Sequence, residues 1–224
     1  LTVITTRDMP SRHWRGRNPR GSVARMDYSI AGEIAQSVTL DLGQHDRVWA
    51  SRGSILAHSP EVAWNLEVPG GAGAAVGRAF AGEGITLTKI TASAPGARVT
   101  LTANQPGHIT VWDTTQRGDV VCTRGSFLAA VGDIEIVPTI ARKLGGAFFG
   151  GAGLVLQKVT GAGLVFVHGS GDFGNYDLEP GQTINISTGN LAAFGADVDY
   201  DIKGVQGCRN ILFSGEGLFM AKLT

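Results

Sequence analysis

Histidines are the first residues to examine for chemistry, because β-rolls that hold a metal do so through closely spaced histidines and a carboxylate. The chain contains five histidines, and even the nearest two along the chain, the second and third, are far apart. They are His13, His45, His58, His108 and His168. A His-x-His pair is therefore absent, and we expect no metal centre.

Serine is the next candidate, because two serines that could act as nucleophiles occur in matching turn-forming strings. Arg52-Gly53-Ser54 and Arg124-Gly125-Ser126 match each other, but Asn190 takes the place of serine in a third copy, and no G-x-S-x-G string occurs. A position that exchanges Ser for Asn suits a turn better than a nucleophile. We therefore expect that the protein is not an enzyme.

One string has the spacing of a dinucleotide-binding loop. Residues 169–174 read G-x-G-x-x-G, but the residues that follow do not have a helical pattern. No helix N-terminus would then receive a pyrophosphate. We interpret the string as a turn between strands and expect no cofactor.

Positive charge is concentrated at the start of the chain, in the segment 1–25. This segment holds six arginines and one acid, which leaves 13 basic and 18 acidic residues, a net charge of −5, for the rest of the chain. The candidate contact for nucleic acid or another anion within this arm comprises Arg12, Trp14, Arg15, Arg17 and Arg20. Such a patch attracts polyanions, and the alternative is a solvated tail.

Three lysines form a second candidate anion site. Lys89, Lys158 and Lys222 occupy the same position in three matching strings. They could surround an axis and bind an anion. Alternatively, they lie on outer strand faces or form ion pairs with Glu83 and Glu216, where exposed charges contribute little.

These strings belong to an internal repeat. VWASRGSILA, VVCTRGSFLA and INISTGNLAA recur, each followed by FAGEGITLTK, FGGAGLVLQK or FSGEGLFMAK. The repeated glycines are Gly53, Gly125 and Gly189 in the first set and Gly84, Gly153 and Gly217 in the second. Similar steps from one unit to the next are an architectural signal, and we expect the equivalent glycines to superpose.

The elements that connect these residues have the pattern of strands. Segments such as 97–103 and 198–202 alternate apolar and polar residues and end at Gly, Asn or Pro, which is typical of β-structure. We predict an all-β fold of three consecutive small sandwiches. The predicted units are a basic arm at 1–25, then 26–113, 114–177 and an incomplete 178–224, all within one compact pseudo-threefold domain.

Unit three ends shortly after Lys222, before the last strand that the other units contain. An open strand edge invites pairing with another segment or another chain. Residues 1–6 have the composition of a short strand. We predict that they add to an open edge, on unit three of the same chain or on a neighbour.

Several long strings resemble a known family. TRGSFLAAVGDIEI, KLGGAFFGGAGLVLQKVTG, LEPGQTINISTGNLAAF, DVDYDI and NILFSGEGLFMAKLT are similar to bacterial relatives of the mitochondrial-biogenesis family named for altered inheritance of mitochondria. The resemblance covers roughly 27–224. It implies three units like the trp RNA-binding attenuation protein, of double-stranded β-helix type, assembled into ring-like trimers. It implies no established catalytic residues.

These observations together favour a non-enzymatic homo-oligomeric scaffold, with a trimer expected because a head-to-tail contact between terminal units closes a ring. The alternative is a nucleic-acid or anionic-ligand binding module that uses the basic arm. An unknown protein partner is also compatible with the pattern. The two cysteines have no disulfide or metal spacing, and the longest apolar stretch, 144–156, is shorter than the roughly 20 residues that a bilayer span needs. We expect a soluble, cytoplasmic protein.

Overall fold

The computed structural model describes residues 2–5, 26–69, 86–140, 155–204 and 219–224. Within these ranges, helix is limited to the short α1 (Thr114–Arg117) and a 3-10 turn at Thr188–Asn190. The remaining regular structure is β-strand. The predicted all-β class is confirmed.

The strands of the first repeat are short and separated by turns. They are β3 (Ser37–Leu42), β4 (Arg47–Ala50), β5 (Ile55–His58), β6 (Val62–Glu67), β7 (Leu87–Ala92) and β8 (Ala97–Thr102). Two more strands precede them, β1 (Thr2–Thr5) and β2 (Asp27–Ala31). β2, β3, β8 and β5 form one sheet in that order, while β4, β7 and β6 lie at the end of a larger sheet. In β8, Ala97, Val99 and Leu101 are buried, so the period-two pattern has its apolar face in the core.

The second repeat has the same order, with longer strands. They are β9 (His108–Asp113), β10 (Val120–Thr123), β11 (Phe127–Ile140) and β12 (Val155–Gly169). β11 corresponds to β5 and β6 without a break, and β12 corresponds to β7 and β8. Two glycines at positive φ, Gly132 and Gly161, let β11 and β12 bend in step. A Cβ on Gly161 would lie 2.3 Å from the carbonyl oxygen of Asp133.

The third repeat again has separate short strands. They are β13 (Phe173–Tyr176), β14 (Ile184–Ser187), β15 (Leu191–Gly195), β16 (Tyr200–Gly204) and β17 (Phe219–Leu223). The strand expected at 198–202 begins only at Tyr200, because the Val198 N–H donates to the Gly195 carbonyl at 3.0 Å and the chain turns there. Within the string at 169–174, residues 170–172 form the turn that connects β12 to β13.

The three repeats share one pairing register. In each, a lysine on a central strand lies opposite one residue on either side. Lys89 lies between Trp49 and Asn65, Lys158 between Val121 and Val137, and Lys222 between Asn185 and Asp201. These partners follow one another along the chain at the same steps as Gly53, Gly125 and Gly189. By this pairing, the second repeat begins with β9 and the third with β13. Each of these strands lies just before the unit boundary predicted from the sequence, residue 114 or residue 178.

Strand β1 completes the third repeat. It lies between β13 and β15 and runs parallel to both, with Val3 opposite Gly174 and Leu191. The corresponding places in the other repeats belong to β8, between β3 and β5, and to the end of β12, between β9 and β11. All three pairings have a register shift at the same position, after Ile55, Phe127 and Leu191. The predicted addition of residues 1–6 to unit three of the same chain is confirmed for β1, although β1 runs parallel where its counterparts run antiparallel.

Three apolar cores follow the repeats, and each later core also takes side chains from the repeat before it. Trp49 and Leu87 of the first repeat join the core of the second. Val121 and Leu156, at the equivalent positions of the second repeat, join the core of the third. The cores are also shared in the other direction, since Leu128 and Phe166 of the second repeat lie in the first core. Neighbouring repeats are therefore packed together through common cores.

Candidate functional site

The seams between repeats define the surface of most interest. At the first seam β4 pairs with β11, placing Ala50 opposite Ala129. At the second, β10 pairs with β15 in the identical register, placing Cys122 opposite Ala193. The arriving strand covers the start of the next repeat, and this arrangement recurs residue for residue.

The start of the first repeat has no such cover. β5 is an edge strand of its sheet and pairs on one side only, with β8, among the strands that the structure describes. Leu56 is 61% exposed, whereas its counterparts Leu128 and Ala192 are each 1% exposed. The difference follows from the seams, because β4 and β10 cover the counterparts.

The adjoining strand β6 shows the same contrast. Trp64 is 53% exposed, whereas its counterpart Ile136 is 2% exposed and Tyr200 packs against Phe194 with ring centroids 5.3 Å apart. Leu66 is also exposed, and its counterpart Ile202 is buried. Exposed apolar side chains that are contiguous with an open edge are typical of an interaction surface. We call Leu56, Trp64 and Leu66, with the free edge of β5, the uncovered face.

The opposite end of the repeat series has a matching strand edge that no other described strand pairs with. β14 corresponds to β4 and β10, and it lies at the edge of the sheet β14-β17-β16. The side chains that would cover a following repeat are Asn185, opposite Lys222, and the half-buried Met220, which corresponds to Leu87 and Leu156. One chain therefore carries both halves of a seam.

The three lysines are not brought into one cluster. Lys89 lies on β7 and Lys158 on β12, three strands apart in one sheet, or about 14 Å at the usual strand spacing. Lys222 lies in another sheet. The Lys89 Nζ is 3.0 Å from the Glu67 carboxylate and 5.8 Å from the centre of the Trp49 ring. Hydrogen bonds from Asn65 and Lys89 lower the pKa of Glu67, so the charge of Lys89 has a partner within the first repeat.

Several predicted residues lie outside the ranges that the structure describes. They are Arg12, Trp14, Arg15, Arg17 and Arg20 of the basic arm, together with Glu83, Glu216, Gly84, Gly153 and Gly217. Their roles stay predictions. Gly53, Gly125 and Gly189 lie in corresponding turns, between β4 and β5, β10 and β11, and β14 and β15. Ser54 and Ser126 form the same turn hydrogen bond, from their N–H groups to the carbonyls of residues 51 and 123 at 3.2 and 3.1 Å.

The described part of the chain holds no group of three or more His, Cys, Asp or Glu side chains that could bind a metal ion. No helix in the described ranges has the length and hydropathy to cross a bilayer. Burial raises the pKa of the Cys122 thiol to about 12, so this thiol is held protonated and inert.

The uncovered face was not predicted from the sequence. The missed signal lay in the aligned repeats, where Trp64 stands at the position of Ile136 and Tyr200. Composition alone does not show that no described strand covers β5 of the first repeat. Only the pairing of β4 with β11 and of β10 with β15 shows that a strand equivalent to β4 would cover β5.

The fold and its seams define an all-β protein made of repeated strand layers that end in open edges. The chain belongs to the Mitochondrial biogenesis AIM24 family, whose model matches residues 28–224. An uncharacterized protein of Streptococcus pyogenes serotype M6 is 28% identical over 189 residues, which cover 81% of this chain and 75% of that protein. An X-ray crystal structure of a Streptococcus pyogenes protein is 25% identical and superposes with a TM-score of 0.69 over 89% of both chains. The family resemblance of the sequence strings is confirmed.

Proposed function

We propose that the protein is a non-enzymatic cytoplasmic scaffold that assembles head to tail into a ring of three copies. The observation that carries the proposal is the uncovered face, because the counterparts of its Leu56 in both later repeats, Leu128 and Ala192, are buried next to the strand that the preceding repeat contributes. A second copy of the chain is the partner that fits the uncovered face, because its β14 corresponds to β4 and β10, the strands that cover the equivalent faces of the later repeats. The resemblance of the repeats to the trp RNA-binding attenuation protein supports a ring, and the free thiol of Cys122 supports a reducing compartment.

The register of this contact follows from the two internal seams. Adding the repeat offsets to the β4–β11 and β10–β15 pairs places Ile186 of one copy opposite Ala57 of the next. Asn185 then lies opposite His58, and Ile184 opposite Ser59. Main-chain hydrogen bonds would supply affinity, and burial of Trp64 would add about 2 to 3 kcal/mol. A contact between unlike edges closes a ring or continues as a fibre.

The test exploits the direction of the His58 N–H. The Ser59 N–H donates to the Arg98 carbonyl at 2.9 Å on β8, so the N–H of His58 points away from β8, toward the free edge. His58→Pro therefore removes a donor from the proposed interface and no backbone hydrogen bond within the chain. It also removes the 2.9 Å contact between the His58 Nδ1 and the Ser59 carbonyl, which His58→Ala removes as well. His58→Ala is the matched control, because it keeps the N–H.

Light scattering after size-exclusion chromatography is the measurement. The unmodified protein and His58→Ala should have three times the 23.4 kDa mass of one chain. His58→Pro, and separately Trp64→Glu, should shift the protein to the mass of one chain. Ile34→Glu, at an exposed apolar residue between β2 and β3, should leave the mass unchanged. A monomeric unmodified protein at micromolar concentration, or a trimeric His58→Pro variant, contradicts the proposal.

A further inference from the structure

The turns at the first seam enclose a surface cleft of about 280 Å³. Three connections form its walls: residues 51–54 between β4 and β5, 102–105 between β8 and β9, and 124–126 between β10 and β11. The volume is near the lower end of the range for small-molecule sites. The cleft lies within one chain, and Leu56, Trp64 and Leu66 of the uncovered face do not line it.

Two arginines line this cleft without a counter-charge. Arg52 and Arg124 both have exposed side chains, and neither forms an ion pair or a side-chain hydrogen bond within the described residues. No acidic residue is found among the described residues that line the cleft. Two like charges that face one concave surface repel each other, and an anion between them would relieve that repulsion.

The other polar groups of the cleft fall into two classes. The serine hydroxyls are engaged, since Ser51 donates to the Phe127 carbonyl and Ser54 donates to the Ser51 carbonyl at 2.7 Å. The side-chain amide of Asn104 lies 3.9 Å from the Cβ position of Gly53, and none of its hydrogen bonds is satisfied within the described residues. The guanidinium groups and the Asn104 NH2 are therefore free donors, which suits an acceptor such as an oxyanion, while the Asn104 carbonyl can face away from it.

A buried polar atom without a partner lies beside the cleft. His168 lines the cleft and is 5% exposed, and its Nε2 has no hydrogen-bond partner in the described part of the chain. A buried polar atom without a partner is costly, but this nitrogen is closed to solvent and would lie 2.9 Å from a Cβ on Gly107, so the two arginines carry the recognition.

We propose that this cleft binds a small ligand that bears an oxyanion, a phosphate ester or a carboxylate, through the guanidinium groups of Arg52 and Arg124. Planar guanidinium groups match both oxyanions with paired hydrogen bonds. The seam between the second and third repeats has Thr188 where the first seam has Arg124, so the paired arginines distinguish the first seam. A cleft of this size with two cations fits a small molecule better than a nucleic acid, whose backbone needs a longer basic track.

Calorimetric titration of the full chain tests the proposal. Glycerol 3-phosphate and malonate are the two anionic probes, and glycerol is the neutral control. At least one anion should bind at millimolar concentration while glycerol does not, and the stronger of the two identifies the chemistry. Arg52→Gln and Arg124→Gln should each weaken binding about tenfold or more, as expected for the loss of one charge-assisted hydrogen bond.

Arg47→Gln is the matched control, because Arg47 is an exposed arginine that does not line the cleft. It should bind the anion as the unmodified protein does. Absence of binding by both anions, or an equal loss in Arg47→Gln, overturns the proposal. A single-stranded oligonucleotide that binds more tightly than both anions, and that loses affinity in Arg52→Gln, would overturn the small-molecule class. Binding should persist in the monomeric His58→Pro variant, so the result is independent of assembly.

Discussion

The lysines at equivalent positions show that repeat position and chemical role are separate properties of a residue. Lys89 pairs with Glu67 and lies over Trp49, while Lys158 stands between two valines and Lys222 between Asn185 and Asp201. The backbone register is preserved, and the side-chain surroundings differ. The sequence therefore predicted where the lysines stand in the repeat, but not that they lie too far apart to form one site.

His168 should make the stability of the protein depend on pH. Burial lowers its pKa, and the charge of His108 acts in the same direction, while contact with the Gln105 backbone opposes both. Because the unfolded chain has the ordinary value near 6.5, it binds more protons than the folded state once the pH falls below about 6.5. The free energy of unfolding should therefore decrease as the pH falls through this range toward the lower folded-state pKa.

Urea unfolding between pH 8 and pH 5 measures this effect. His168→Gln should flatten the pH dependence, although it lowers stability at neutral pH because the site is buried. His45→Gln, at an exposed turn position, should keep the slope of the unmodified protein. An equal slope in His168→Gln and the unmodified protein would rule out His168 as the source.

At the scale of elements, the long hairpin of β11 and β12 depends on glycines that bend it. Gly161 has a φ of 101°, and Gly132, on the partner strand, has a φ of 112°. The sequence showed these glycines only as part of a high glycine content. It could not distinguish the ones that are required from those in open turns, because the requirement arises from the backbone of a strand distant in sequence.

Gly161→Ala should lower the free energy of unfolding by about 3 kcal/mol. The substitution combines a strained φ with a Cβ that would lie 2.3 Å from the Asp133 carbonyl oxygen. Gly189→Ala is the matched control, since its Cβ would meet nothing within 4 Å and its φ is not positive. Denaturant unfolding of both variants measures the difference, and similar values for the two would contradict the role of the bend.

Much of the element order could be predicted from sequence, because alternating apolar residues and glycine turns are local signals. The strand β8 falls close to its predicted range, and β1 was recognised as a strand. The parallel direction of β1 could not be predicted, because it depends on which edge is open and how the chain returns to it. Nor could the fusion of strands in β11 be predicted, since local alternation continues equally well through a bend or a turn.

At the scale of the whole molecule, β1 joins the two ends of the described chain. Its backbone pairs with β13 on one side and β15 on the other. Ile4→Pro removes the N–H of a residue in the middle of this strand, which is paired on both edges. We expect the melting temperature to fall by about 5 to 10 °C, the equivalent of roughly 3 kcal/mol for a domain of this size.

Differential scanning calorimetry measures this change. His58→Pro provides the comparison, because it places proline in a strand at a residue whose N–H faces no partner among the described residues. At a concentration where both variants are monomeric, His58→Pro should melt at least several degrees higher than Ile4→Pro. Equal melting temperatures would mean that β1 contributes nothing to the third repeat.

The position of β1 also sets the order in which the protein matures during synthesis. Val3 pairs with Leu191, so β1 leaves the ribosome long before its partners exist. At about 5 to 20 residues per second, β1 waits on the order of tens of seconds for β15 to emerge. The first two repeats can form in that interval, whereas the third must capture a segment made before either of them. A pause in translation ahead of residue 173 would therefore leave β1 exposed as a free strand, available to the open edges of neighbouring nascent chains.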